Sequence, residues 1–152
     1  YSDVTTFIVH WNEEFFAKGV VKKLQEEYPE RKLTITGIEK FEDLICWQKA
    51  RELTKNVYKT FSGCRDGGFK DQIQRASVSI LSNIAEGFSR QGQKEKIQFY
   101  FTAKGSLTEL QNQLLVARDV GYLDHKDFNK IADQTIQAHK LLNGLIRTST
   151  KY

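Results

Sequence analysis

Hydrophobic positions along this chain follow two rhythms, and the change comes at residue 37. From Ile38 onward the rhythm is helical. Phe41, Leu44, Trp47, Ala50, Leu53, Val57 and Phe61 recur at helical spacing and predict a helix over Glu39 to Phe61. Ile73, Ala76 or Ser77, Ile80, Ile84 and Phe88 predict a second over Phe69 to Phe88, stopping near Gly87. Tyr100, Ala103, Leu107, Leu110, Leu114, Ala117 and Gly121 step by three and four in turn and predict a third over Lys94 to Val120. That alternation is the seam of a helix packed on others at small crossing angles. Gly121-Tyr122 ends it. Asp124, with Asp127 three residues on, caps a fourth helix carrying Phe128, Ile131, Thr135, Ala138, Leu142 and Leu145. Four such rods joined by short loops predict an antiparallel up-down-up-down bundle over residues 38–152.

Residues 1–37 read differently. Phe7, Val9 and Trp11 alternate with Ile8 and His10, which favours a strand. Phe16, Val20, Leu24 and Tyr28 stand four apart after a candidate cap at Asn12, and Pro29 stops that helix. Leu33 and Ile35 then alternate again before Gly37. The expected fold class is therefore mainly α: the bundle plus a small N-terminal βαβ-like extension, too short to stand alone.

One helix has a second stripe. Ser79, Asn83, Glu86 and Arg90 step by four, three and four along the second helix, where a solvated face would normally be long and charged. Two readings stay open for this seam: a solvated face with short side chains, or the lining of a subunit contact. Under either reading Ser79, Asn83 and Glu86 are placed to face Lys104, Thr108 and Gln111 of the next helix, with Lys104 as the nearest partner for a buried carboxylate.

Composition narrows the function classes. Hydrophobic residues make up 39% and charged residues 28%, which fits a folded domain and not a disordered chain. No run approaches the length of a membrane span, and no basic flank followed by an apolar block marks an export signal within the sequence. Two cysteines, Cys46 and Cys64, suggest incidental thiols in a reducing, cytoplasmic setting.

Residues 1–37 hold five Lys/Arg against six Asp/Glu, so the basic excess behind the chain's net charge of +4 belongs to the remainder. Within that remainder Lys49, Arg51, Lys55 and Lys59 lie along the first helix. Lys70 and Arg75 open the second, and Arg90, Lys94 and Lys96 surround the turn after it. Such residues can neutralise phosphates without reading sequence, and a solvated surface is the competing reading. The chain carries neither an aromatic-studded RNA-binding strand nor a zinc finger.

Catalysis finds little support. A di-iron bundle needs Glu-x-x-His on two helices, but Glu86 and Glu109 are followed three residues on by Ser89 and Asn112. Three scattered histidines and two cysteines do not make a zinc site. The glycines of Ser62 to Gly68 lack the Lys-Ser/Thr of a phosphate loop. No cofactor, metal or enzymatic activity is expected.

FEDLICWQKARELTKNVY, DQIQRASVSILSNIAEGFSR, FYFTAKGSLTEL and GYL, in that order between about Ile38 and Ile146, resemble the bacterial four-helix-bundle family of 23S rRNA intervening sequences. The likeness extends to the accessory variability protein of diversity-generating retroelements. The resemblance implies a bundle that assembles into a ring, typically a homopentamer, with no established enzymatic activity. It further implies an RNA or reverse-transcriptase-like partner. By the same resemblance Arg75, Ser79, Asn83, Glu86, Gly87, Arg90, Lys104, Gly105 and Glu109 are structural or interfacial. The expected function is a non-enzymatic homo-oligomer whose basic surface binds RNA or a nucleoprotein. The rival is a purely structural scaffold with no nucleic-acid role.

Overall fold

The computed structural model describes residues 7–10, 26, 33–36 and 38–150. They fall in two compact units, Tyr1–Leu44 and Ile45–Tyr152. The second is the bundle: α1 (Ile45–Thr60), α2 (Gly67–Ser89), α3 (Gln93–Asp119) and α4 (His125–Ser149). Each helix packs on its neighbour in sequence, and α1 and α4 close the square. Among the described residues no helix is long and apolar enough to cross a membrane.

The predicted seams form the core. Leu53, Val57, Ile73, Ile84, Tyr100, Leu107, Leu110, Leu114, Ile131 and Leu142 are almost wholly buried. On α4 the last core position is Ile146, not Leu145. The first helix starts later than its apolar pattern suggests. Phe41–Asp43 is a single 3-10 turn, Leu44 is extended, and α1 proper begins at Ile45.

The expected βαβ-like extension is overturned as part of the fold class. The described N-terminal residues comprise two four-residue strands, β1 (Phe7–His10) and β2 (Leu33–Thr36), paired in parallel with Phe7 opposite Leu33. The expected helix between them, Glu13 to Tyr28, lies outside the described residues except for Glu26. Two strands this short make no layer of their own. The fold is that of the helical bundle.

Two local features fix the hairpins. At one end, Asp66 caps α2 by accepting from the Phe69 N–H at 3.0 Å, and Tyr122 donates its hydroxyl to the same carboxylate at 2.9 Å. Phe69 stacks edge-on against Tyr122 at 5.3 Å, so the α1–α2 and α3–α4 loops are tied together. Gly121 makes the sharp exit from α3 at φ +80, where a side chain would be strained. At the other end, Gly87 lets α2 meet α3 at close range. A Cβ there would lie 2.7 Å from the Tyr100 ring and 3.0 Å from the Lys96 carbonyl.

Alanine normally outranks glycine within a helix by about 1 kcal/mol. At position 87 the collision wins, because Tyr100 is buried on all sides and the Lys96 oxygen is backbone. We predict that Gly87→Ala destabilises the protein by roughly 1–2 kcal/mol in chemical denaturation. The loss should shrink when Tyr100→Leu is added.

The Phe69 amide and then the Tyr122 hydroxyl hold the Asp66 carboxyl below its usual range. A folded-state pKa that is depressed contributes stability above the unfolded value, about 4, and loses it as pH falls through the folded value. The melting temperature of Asp66→Ala should therefore lie below that of the parent at pH 7, and the two should converge in strong acid.

Candidate nucleic-acid interface and polar seam

The four seam residues of α2 do lie together, with partners different from those expected. The Ser79 and Ser106 hydroxyls meet at 2.8 Å across α2 and α3. Asn83 donates its amide back to the Ser79 carbonyl at 2.8 Å and to the Ser79 hydroxyl at 3.1 Å. Glu86 pairs with Arg90 one turn on, not with Lys104. Gln111 donates to the Thr135 hydroxyl of α4 at 3.2 Å, and Lys104, two turns earlier, belongs to that same edge of α3. Lys104 and Gln111 therefore sit on the flank of α3 away from α2. Thr108 is exposed and returns its hydroxyl to the Lys104 carbonyl.

Glu109 is exposed and accepts from the Gln113 amide at 3.4 Å. Gln113 is a buried polar residue whose periodicity gives no warning, and its Oε1 has no hydrogen-bond partner among the described residues. Toward the α2–α3 corner the seam opens into a cleft lined by Arg90, Glu95, Gln98, Phe99 and Thr102. There the Arg90 guanidinium lies 4.9 Å from the Phe99 ring.

The nine basic residues singled out by sequence do not form one patch. Lys49 pairs with Glu52 at 3.5 Å, Arg75 with Asp71 at 2.9 Å, and Arg90 with Glu86. Arg51 lies 5.7 Å from the centre of the Trp47 ring. Lys70 donates to the Ser62 carbonyl, and Lys96 to the Phe88 carbonyl while lying over the Phe88 ring. Lys55, Lys59 and Lys94 are exposed with no acceptor among the described residues. Lys59 and Lys70 stand at one end of the bundle, Arg90, Lys94 and Lys96 at the other. The 23 residues of α2 between them span about 35 Å.

Ionisable groups inside the bundle are pushed away from reactivity. Burial raises the Cys46 thiol to about 12, and burial with Cys46 nearby raises Tyr100 to about 12. A thiol so held stays protonated and is a poor nucleophile or ligand. Among the described residues no three His, Cys, Asp or Glu side chains converge on a metal-sized site.

Outside the seam the surface is divided. Val78 on α2 and Phe101, Leu115, Val116 and Val120 on α3 are exposed large apolar residues, Phe101 at 53%. Gly105 lies mid-helix on this side. A Cβ added there would meet nothing within 4 Å, so no intrachain contact explains the glycine. The α4 surface is instead cationic, a feature that counting charges by segment merges into the general excess.

A family model for the 23S rRNA-intervening sequence protein matches residues 42–144, which takes in all four helices to near the end of α4. No curated protein shows significant similarity to the chain. Among solved structures, a protein of unknown function from the S23 ribosomal protein family of Bacteroides thetaiotaomicron is similar in fold. Its TM-score is 0.64 at 21% identity, over 68% of this chain and 99% of that one. At that identity the likeness speaks for the fold. The family match spans most of the chain and follows the bundle helix by helix: the chain belongs to the 23S rRNA-intervening sequence protein family.

Proposed function

We propose that this protein is a non-enzymatic homo-oligomer that binds RNA, or a nucleoprotein such as a reverse-transcriptase-like partner, through its basic surface. The observation that carries the reading is the exposure of cations without described partners, Lys55 and Lys59 of α1 and those of α4 among them, on a family member whose bundle segment holds the whole positive excess. One copy offers a weak field, because several of its cations are already paired. A ring of copies repeats the same cations around one axis and raises the local potential in proportion. Ring assembly, five copies on the family resemblance, is thus part of the same reading.

Assembly draws support from the outward face of α3. Exposed Phe101 beside open Gly105 there is the chemistry of a close subunit contact. On the other flank of α3, the seam residues Ser79, Asn83 and Glu86 are low and hydrogen-bonded, which favours a defined register. The scaffold reading shares this assembly and lacks the RNA.

A salt titration separates the two. Binding to generic RNA should be measurable at low salt and fall steeply with added salt, because counterion release dominates such contacts. No binding at low salt would leave the scaffold. Native mass measurement should find a multiple of the 17.6 kDa chain, and Phe101→Glu should return it to one copy by placing a charge in the contact. An unchanged multiple would move the interface elsewhere.

A further inference from the structure

The outward face of α4 carries a line of cations separate from the nine described above. Lys126, Lys130, Lys140 and Arg147 are all exposed, and none has a carboxylate within ion-pair distance among the described residues. The buried positions of α4 are Ile131, Thr135, Ala138, Leu142 and Ile146. At 100° per residue the four cations fall within roughly 60° of the direction opposite that core. They therefore form one stripe and not a scatter around the helix. Asp133 is the single acid on that stripe. Asp127, near the helix start, lies to one side, with its backbone N–H held by the Asp124 cap at 2.8 Å.

Three features of the stripe indicate what it fits. From Lys126 to Arg147 it runs straight for about 32 Å, close to one turn of a duplex. Proteins that hold single strands interleave cations with aromatic rings for base stacking. No Phe, Tyr or Trp stands on this face, and the one phenyl ring of α4, Phe128, is covered by the Arg118 guanidinium at 4.7 Å. Finally, Gly144 lies between Lys140 and Arg147 with nothing within 4 Å of its Cβ position, so backbone and phosphate can approach closely there.

Resting on the RNA-binding reading above, we propose that the outward face of α4 is the surface that lies along the phosphate backbone of double-stranded RNA, with Lys126, Lys130, Lys140 and Arg147 as its contacts. Such contact reads charge density and not sequence. A rigid row of unpaired cations gains more from a duplex than from a flexible strand, because the duplex fixes more phosphates per length.

The test compares the full chain with two charge-matched variants on a mixed-sequence RNA duplex, followed by fluorescence anisotropy across a salt series. Neutralising α4 with K126Q/K130Q/K140Q/R147Q should lower the slope of log affinity against log salt by about 3, and weaken binding on the order of 100-fold at moderate salt. Removing the same charge from α2 and α3, with K70Q/K94Q/K96Q/K104Q, should cost far less. Asp133→Lys should tighten binding and steepen the slope by about 1, a gain that misfolding cannot produce. A parent chain that binds while both quadruple variants weaken equally overturns the α4 assignment and leaves the RNA reading standing. Tighter binding to a single strand of equal phosphate count overturns the duplex. A parent chain that binds no RNA at low salt overturns both readings.

Discussion

The bundle depends on how closely α2 and α3 approach at Gly87. With no Cβ there, the Tyr100 ring and the Lys96 carbonyl take the space that a side chain would fill. That contact sets the spacing of the hairpin at its corner. Forward of it, the spacing decides that Ser79 and Ser106 can share a hydrogen bond across the pair. Behind it, the same spacing lets Tyr100 fill the core near Cys46. The far end is set by a different interaction, the Asp66 carboxylate accepting from Phe69 and Tyr122. Between these two clamps a continuous apolar interior does the rest, and Thr54 ties α1 to α2 through the Ser77 carbonyl at 3.0 Å.

A square of four helices fixed this way leaves faces with different chemistry. Along α2 and its C-cap Arg75 pairs with Asp71 and Arg90 with Glu86, and the outward face of α3 presents Phe101 and Gly105. The α4 side has its cations unpaired and its apolar residues turned inward, Ile136 excepted. A surface whose charges are already satisfied loses less on being covered by another copy, whereas unpaired cations are best placed against a polyanion. Assembly and RNA contact would then use different helices and not compete for the same residues.

Much of this fold is legible in the chain because helix packing writes itself into sequence as steps of three and four. Tyr100 through Ala117, and Ile131 through Leu142, need nothing else. The cap at Asp124 is legible from a short polar residue ahead of an apolar run, while the cap at Asp66 is hidden by the glycines that follow it. The partners of the seam are not legible, because periodicity gives a residue's angle on its own helix and not which neighbour lies there. Lys104 and Gln111 share an angle, and only the packing of α4 beside α3 reveals which side that angle faces. The α4 stripe escapes for a related reason. Its cations are four, ten and seven residues apart, so they make no run in the sequence and line up only once the helix is formed. At the N-terminus, alternation marks short extended segments, but two paired strands of four residues are too little to make a fold layer.

The division of faces is tested most directly by lysine acetylation footprinting of the protein with and without duplex RNA, read residue by residue by mass spectrometry. Duplex RNA should protect Lys126, Lys130 and Lys140 and leave Lys94 and Lys104 unchanged. Protection spread evenly over all exposed lysines, or concentrated at Lys94 and Lys96, would contradict it.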